Sequence, residues 1–268
     1  MSRKAYNKKK RSIGWDKILF VLGAILLIVY GCLQYKTYKD QKDYRKTVVR
    51  FEELKEYGTD NQQGTETNPE SNKEGIAISY KRLFEMNKDM IGWLKIPGTE
   101  IDYPVMQTME DEEYYLHRNF FGEKDNNGTL ILDTDSDITK TSNNLIIHGH
   151  NMRSGAMFAG LLDYENEEFL KEHSKIEFHT KEEVRNYEVI AVFRSKVYNV
   201  DDKVFKYYQF FEADTQEEFD SFYSNIKKMS LFDTGVAAEY GDEFITLSTC
   251  VYHTANGRLV VVGKRITD

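Results

Sequence analysis

Phe244-Ile245-Thr246-Leu247-Ser248-Thr249-Cys250 reads as a short buried strand that ends in a thiol. Its residues are aromatic, β-branched or small, and Asp242 and Glu243 mark where surface gives way to core. A rigid strand end holds its side chain in place, which suits a nucleophile. A free cysteine is equally at home as buried packing. On this stretch alone both readings stand.

The chain has 268 residues, 40% hydrophobic, 30% charged and 13% aromatic, which suffices for one sizeable domain with extensions. Only 3 prolines beside 18 Tyr and 16 Phe favour ordered, β-rich structure. The other cysteine, Cys32, lies in an apolar run, so Cys250 is read as a free thiol. Residues 1–12 hold six basic residues and no acid, and 13–35 is neutral. The remainder must offset that +6 to reach −8 overall, so 36–268 carries −14. Such an acidic body argues against nucleic acid as a partner, because phosphate binding needs a basic surface.

Ile18 to Leu33 runs 16 residues without a charge, and with its flanks approaches the roughly 20 residues that cross a bilayer. Basic residues before it and an acidic body after it predict a cytoplasmic N-terminus and an external body. A cleaved signal peptide is the competing reading, but Gly31-Cys32-Leu33-Gln34-Tyr35 makes a poor cleavage site. The expected layout is a basic tail at 1–12, a membrane anchor at 13–35, a stalk helix and polar linker at 36–75, and a catalytic domain at 76–268. Within the stalk, Tyr44, Val48, Phe51 and Leu54 recur at helical spacing. A free thiol outside the cytosol calls for a reason.

The body alternates short apolar runs with turns. Helices are expected at 77–90, 154–164 and 215–229. Strands are expected at 93–96, 101–106, 129–132, 144–148, 175–179, 187–192, 244–249 and 258–264. Many short strands with few helices predict a mainly β fold, a barrel or an open sandwich.

A thiol nucleophile needs a neighbouring base or cation. His117, His173 and His179 sit in polar surroundings and are read as solvated. His148 and His150, in Ile147-His148-Gly149-His150-Asn151-Met152, and His253, three residues past the cysteine, remain as candidates. They lack carboxylates at metal-ligand spacing, so no metal is expected. Arg258 opens the last strand after an Asn256-Gly257 turn, where it could meet the same reaction centre or simply face solvent.

Thr246-Leu247-Ser248-Thr249-Cys250 resembles the TLxTC signature of sortases, membrane-anchored cysteine transpeptidases of Gram-positive surfaces. The segment ending His148-Gly149-His150-Asn151-Met152 resembles the family strand in which the histidine after glycine is catalytic. Gly257-Arg258-Leu259-Val260-Val261 resembles the strand bearing the family's arginine. Ser248, the Ser154-Gly155-Ala156-Met157-Phe158 run, Tyr114-Tyr115-Leu116 and the helix before the cysteine strand are similar to class B members. The resemblance, covering about 80–266, implies an eight-stranded sortase-type β-barrel with N-terminal helices and a helix before the Cys-bearing strand. It implies His150, Cys250 and Arg258 as catalytic residues, and Leu116, Ser248 and Thr249 as contributors to the substrate groove. It implies no cofactor. The implied partners are sorting-signal peptides of secreted proteins and an amine acceptor from a cell-wall precursor or a pilin. The wider alternatives are a pilin-polymerising sortase, an extracellular thiol endopeptidase without transferase activity, and an anchored scaffold with a buried Cys250. No acid follows Cys250 directly, since Val251-Tyr252 does. Specificity is expected to rest on loops around 194–213.

Overall fold

A computed structural model describes residues 14–59, 80–138 and 144–266. Helix α1 (Trp15–Thr59) is a single 45-residue rod, so the expected anchor and stalk form one element. Its apolar window within Lys17–Lys46 reaches mean hydropathy 2.3 and is wholly unburied. Farther along, Tyr44 packs against the barrel, and its hydroxyl meets that of Tyr103 at 2.5 Å. The polar segment expected as a linker falls largely outside the described residues.

The described residues hold eight strands: β1 (Met90–Lys95), β2 (Asp102–Met106), β3 (Leu130–Leu132), β4 (Asn144–Gly149), β5 (Lys175–His179), β6 (Val184–Lys196), β7 (Phe244–Cys250) and β8 (Gly257–Ile266). They close into a barrel ordered β1-β2-β3-β4-β7-β8-β6-β5. Pairing is antiparallel except for β2 with β3 and β4 with β7. Closure leaves no unpaired edge in the wall. The expected strand 187–192 is longer because β6 pairs first with β5 and then along all of β8.

Side chains alternate across the wall. Leu145, Ile147, Ile245, Leu247, Leu259 and Val261 point into the barrel and join its main core. Phe244, Val260 and Val262 point outward. There they meet α4 (Gln216–Met229), which buries Phe219, Phe222 and Ile226. Thr215 and Glu218 form a capping box at the start of α4, an arrangement contributing about 1 kcal/mol.

Three expectations need correction. The helix expected over 77–90 is helical only at 80–86, here α2, and 77–79 lie outside the described residues. Asn87 stops it: its Oδ1 accepts from the Asp89 amide, its Nδ2 donates to the Phe120 carbonyl, and Met90 is released into β1. The helix expected at 154–164 is a 3-10 segment, Phe158–Glu165, entered through Met157 at φ +56°; α3 (Glu167–Glu172) follows it. His179, read as solvated, is 3% exposed against the Tyr80 ring, and the half-buried His173 bonds to the Pro97 carbonyl at 3.0 Å. A polar neighbourhood in sequence does not reveal burial by a remote helix.

Gly149 is the closest approach in the β4 wall. A Cβ there would lie 2.5 Å from Leu130 Cδ2 and 2.8 Å from the Phe158 ring. Gly149→Ala should therefore cost about 1–3 kcal/mol by overpacking, read as a lowered urea midpoint. An unchanged midpoint would show that the wall yields freely.

Burial lowers the proton affinity of His179, outweighing the opposing pull of Glu177. A depressed histidine binds fewer protons folded than unfolded, so its contribution to stability is lost as pH falls below about 6.5. His179→Gln should flatten the decline in unfolding free energy between pH 7 and 5. Identical slopes in both proteins would contradict this.

Candidate active site

Cys250 closes β7 between two neighbours. On one side it pairs directly with Arg258 of β8. On the other, Thr249 pairs with Gly149 in the parallel β4 ladder, so His150 falls in line beside Cys250. The three residues thus stand on adjacent strands, spaced about 4.8 Å apart. Alternation puts Ser248, Cys250 and Arg258 on the outer face of the wall, because Leu247, Leu259 and Val261 face in.

Two hydrogen bonds hold the ends of β4 and β7 together. Thr249 Oγ1 donates to the Gly149 carbonyl at 2.8 Å, and Asn151 Nδ2 donates to the Cys250 carbonyl at 3.0 Å. A cleft of about 210 Å³ opens above them. His150, Cys250 and Arg258 line it together with Leu116, Ser248, Thr249, His148 and Glu112. All six residues singled out from the sequence therefore meet at one place. Cys250 is half-buried, reachable yet shielded.

The three candidate histidines part company here. His253 does not line the cleft; its ring lies over Gly257. His148 lines it, but its Nε2 faces Asp133 Oδ2 at 3.3 Å. His150 Nε2 bonds to the Leu116 carbonyl at 2.8 Å, and the exposed His117 stacks on the ring with centroids 5.7 Å apart. Burial lowers the proton affinity of His150, the Leu116 carbonyl opposes that shift, and His117 adds to it. A histidine whose ring burial favours in the neutral form can take a proton from one group and pass it to another.

Thr249 is 1% exposed and its hydroxyl splints two strands. Ser248 is equally buried, and its hydroxyl meets Tyr207 at 2.7 Å. Tyr207 escaped the sequence reading. Burial pushes its hydroxyl up to about 12, against the opposing pull of Arg258. The aromatic run Phe205-Lys206-Tyr207-Tyr208 in an otherwise acidic connection was the available signal. Also missed was the approach of Glu112, Asp133 and His148, whose potential ligand atoms lie within 4.8 Å of one another. They come from three separate segments, so no spacing in the sequence announces them.

Comparison with known proteins agrees with this geometry. A family model described as the sortase domain matches residues 94–266. Sortase B of Listeria monocytogenes is 34% identical over 196 residues, covering 72% of this chain and 76% of the relative. The crystal structure of sortase B from B. anthracis in complex with AAEK1 superposes with TM-score 0.69 at 28% identity, covering 86% of this chain and all of that one. A Staphylococcus aureus sortase B–substrate complex gives TM-score 0.68 at 25% identity, covering 84% and 98%. An eight-stranded barrel of this order, with a cysteine, a histidine and an arginine side by side on its wall, together with these matches, makes the chain a member of the sortase family, class B, and a cysteine transpeptidase.

Proposed function

We propose that the chain is a membrane-anchored sortase that cleaves the C-terminal sorting motif of secreted proteins and transfers the product to an amine of the cell wall. Residues 1–12 lie in the cytoplasm, 13–35 cross the membrane, 36–75 form the stalk and linker, and 76–268 work outside. The unburied apolar window of α1 supports the anchor. The observation that carries the catalytic reading is the direct pairing of Cys250 with Arg258, with His150 next in line across β4.

In this reading the Cys250 thiolate attacks the scissile carbonyl carbon. The C–N bond breaks, the leaving amine takes a proton from His150, and a thioester remains. Arg258 and backbone N–H groups near Cys250 stabilise the oxyanion. The acceptor amine then attacks the thioester, gives a proton to His150 and releases the Cys250 thiolate as the C–S bond breaks. Leu116 shapes a wall of the groove. Ser248 and Thr249 contribute through their placement of β7, since both hydroxyls are already engaged within the protein. A similar structure is a Staphylococcus aureus sortase B–substrate complex, which supports a substrate-binding role for this fold.

Peptides carrying sorting-type motifs, assayed with mass-spectrometric capture of the acyl-enzyme, test this. Cys250→Ala should give neither product nor adduct. Arg258→Ala should lose on the order of a hundredfold or more in kcat with an unchanged denaturation midpoint. Near-normal cleavage by His150→Ala would move the acid–base role to His148 or His253. Glycine peptides and lysine side-chain amines, offered in competition, separate a wall-precursor acceptor from a pilin acceptor.

A further inference from the structure

The 3-10 turn Tyr114–His117 packs beside β3, and a second segment, residues 125–129, holds it there. The Thr129 amide donates to the Tyr115 carbonyl at 2.9 Å, and the Asp125 amide to the His117 carbonyl at 3.0 Å. Thr129 Oγ1 donates to the Arg118 carbonyl at 2.8 Å. Of the four consecutive carbonyls at 115–118, three are tied to this segment. The fourth, that of Leu116, accepts from His150 Nε2 at 2.8 Å.

Gly128 makes the fit possible. Its φ is +62°, and a Cβ there would lie 2.2 Å from the Leu116 oxygen and 2.6 Å from its carbonyl carbon. Only a residue without a side chain lets the chain pass this close. A neighbouring Asx turn, in which Asp125 Oδ1 accepts from the Asn127 amide at 2.8 Å, fixes the entry to Gly128.

We infer that the Leu116 carbonyl, held by residues 125–129, fixes His150 in the Nε2–H tautomer and makes Nδ1 the nitrogen that moves the proton. The inference rests on the reading of His150 as the acid–base. A carbonyl oxygen can only accept, so Nε2 must carry a hydrogen in both charge states of the ring. Nδ1 has no hydrogen-bond partner among the described residues and is the atom whose protonation changes. In acylation the proton on Nδ1 passes to the leaving amine nitrogen as the C–N bond breaks. In deacylation Nδ1 accepts the proton shed by the incoming amine as it attacks the thioester and the thiolate departs. The Nε2–H bond to Leu116 persists through both steps and strengthens while the ring is charged. Leu116, through its main chain, and Gly128 are thus positioning residues.

The test reads the tautomer directly. The full chain in detergent, labelled with ¹⁵N in its histidine rings, is examined by long-range ¹H–¹⁵N correlation above the His150 titration, with His150→Gln assigning the signals. The expected spectrum has an unprotonated Nδ1 and a protonated Nε2 at His150. A protonated Nδ1 would overturn the inference. Gly128→Ala should displace the Leu116 carbonyl, let the two tautomers average, and lower kcat on the order of tenfold with KM nearly unchanged. A folded Gly128→Ala with the wild-type ring spectrum and kcat would also overturn it. If that variant fails to fold, the wild-type spectrum decides alone. Retained activity in His150→Ala would instead remove the acid–base reading, an outcome the ring spectrum does not share.

Discussion

The register of β7 is the constraint on which this molecule depends. Two ladders meet on that strand, a parallel one with β4 and an antiparallel one with β8. A slip of one residue would turn Cys250 into the barrel and Thr249 out of it. Apolar alternation resists the slip, because Ile245 and Leu247 would leave the core. Buried polar contacts resist it more specifically. Thr246 Oγ1 donates to Asn144 Oδ1 at 2.8 Å, and Asn144 Nδ2 in turn donates to the Phe210 carbonyl at 2.9 Å. Each would be left unpaired by a shift, at a cost of about 1–3 kcal/mol per stranded group.

Building the site on the outer wall solves a second problem. The barrel interior is filled by aliphatic and aromatic side chains and has no room for a peptide. Outside, α4 and its aromatic layer cover one part of the wall, while Tyr115 and Phe120 help to cover another. The cleft is the strip between the two covers. Its walls therefore come from connections, which can vary, and its floor from strands, which cannot. The side chains with the strictest geometric demands sit on the floor.

This division explains what was legible in the sequence. The eight strands could be read because each carries a run of β-formers bounded by turn residues, and the Cys, His and Arg segments could be read because each lies within a few residues of a strand end. Phe219, Phe222 and Ile226 announced α4 by their spacing. What could not be read depends on contacts distant in sequence. His179 is buried beside Tyr80, ninety-nine residues earlier. His148 meets Asp133 across β3 and β4, and Ser248 meets Tyr207 from the connection after β6. Val184–Lys196 exceeds its apolar run because a partner strand, not local composition, sets where β6 stops.

The two histidines of β4 show how a fold differentiates identical side chains. His148 and His150 stand two residues apart, and it was the family motif that singled out His150 in the sequence. Their partners differ in kind. A carboxylate faces His148, and a main-chain carbonyl faces His150. A carbonyl dipole fixes the tautomer while adding no full charge beside the ring. Burial pushes the same ring toward neutrality, and the carbonyl moderates that push. On the proposed reading, His150 owes its role less to its place beside Cys250 than to Gly128, whose missing side chain lets an uncharged acceptor approach the ring.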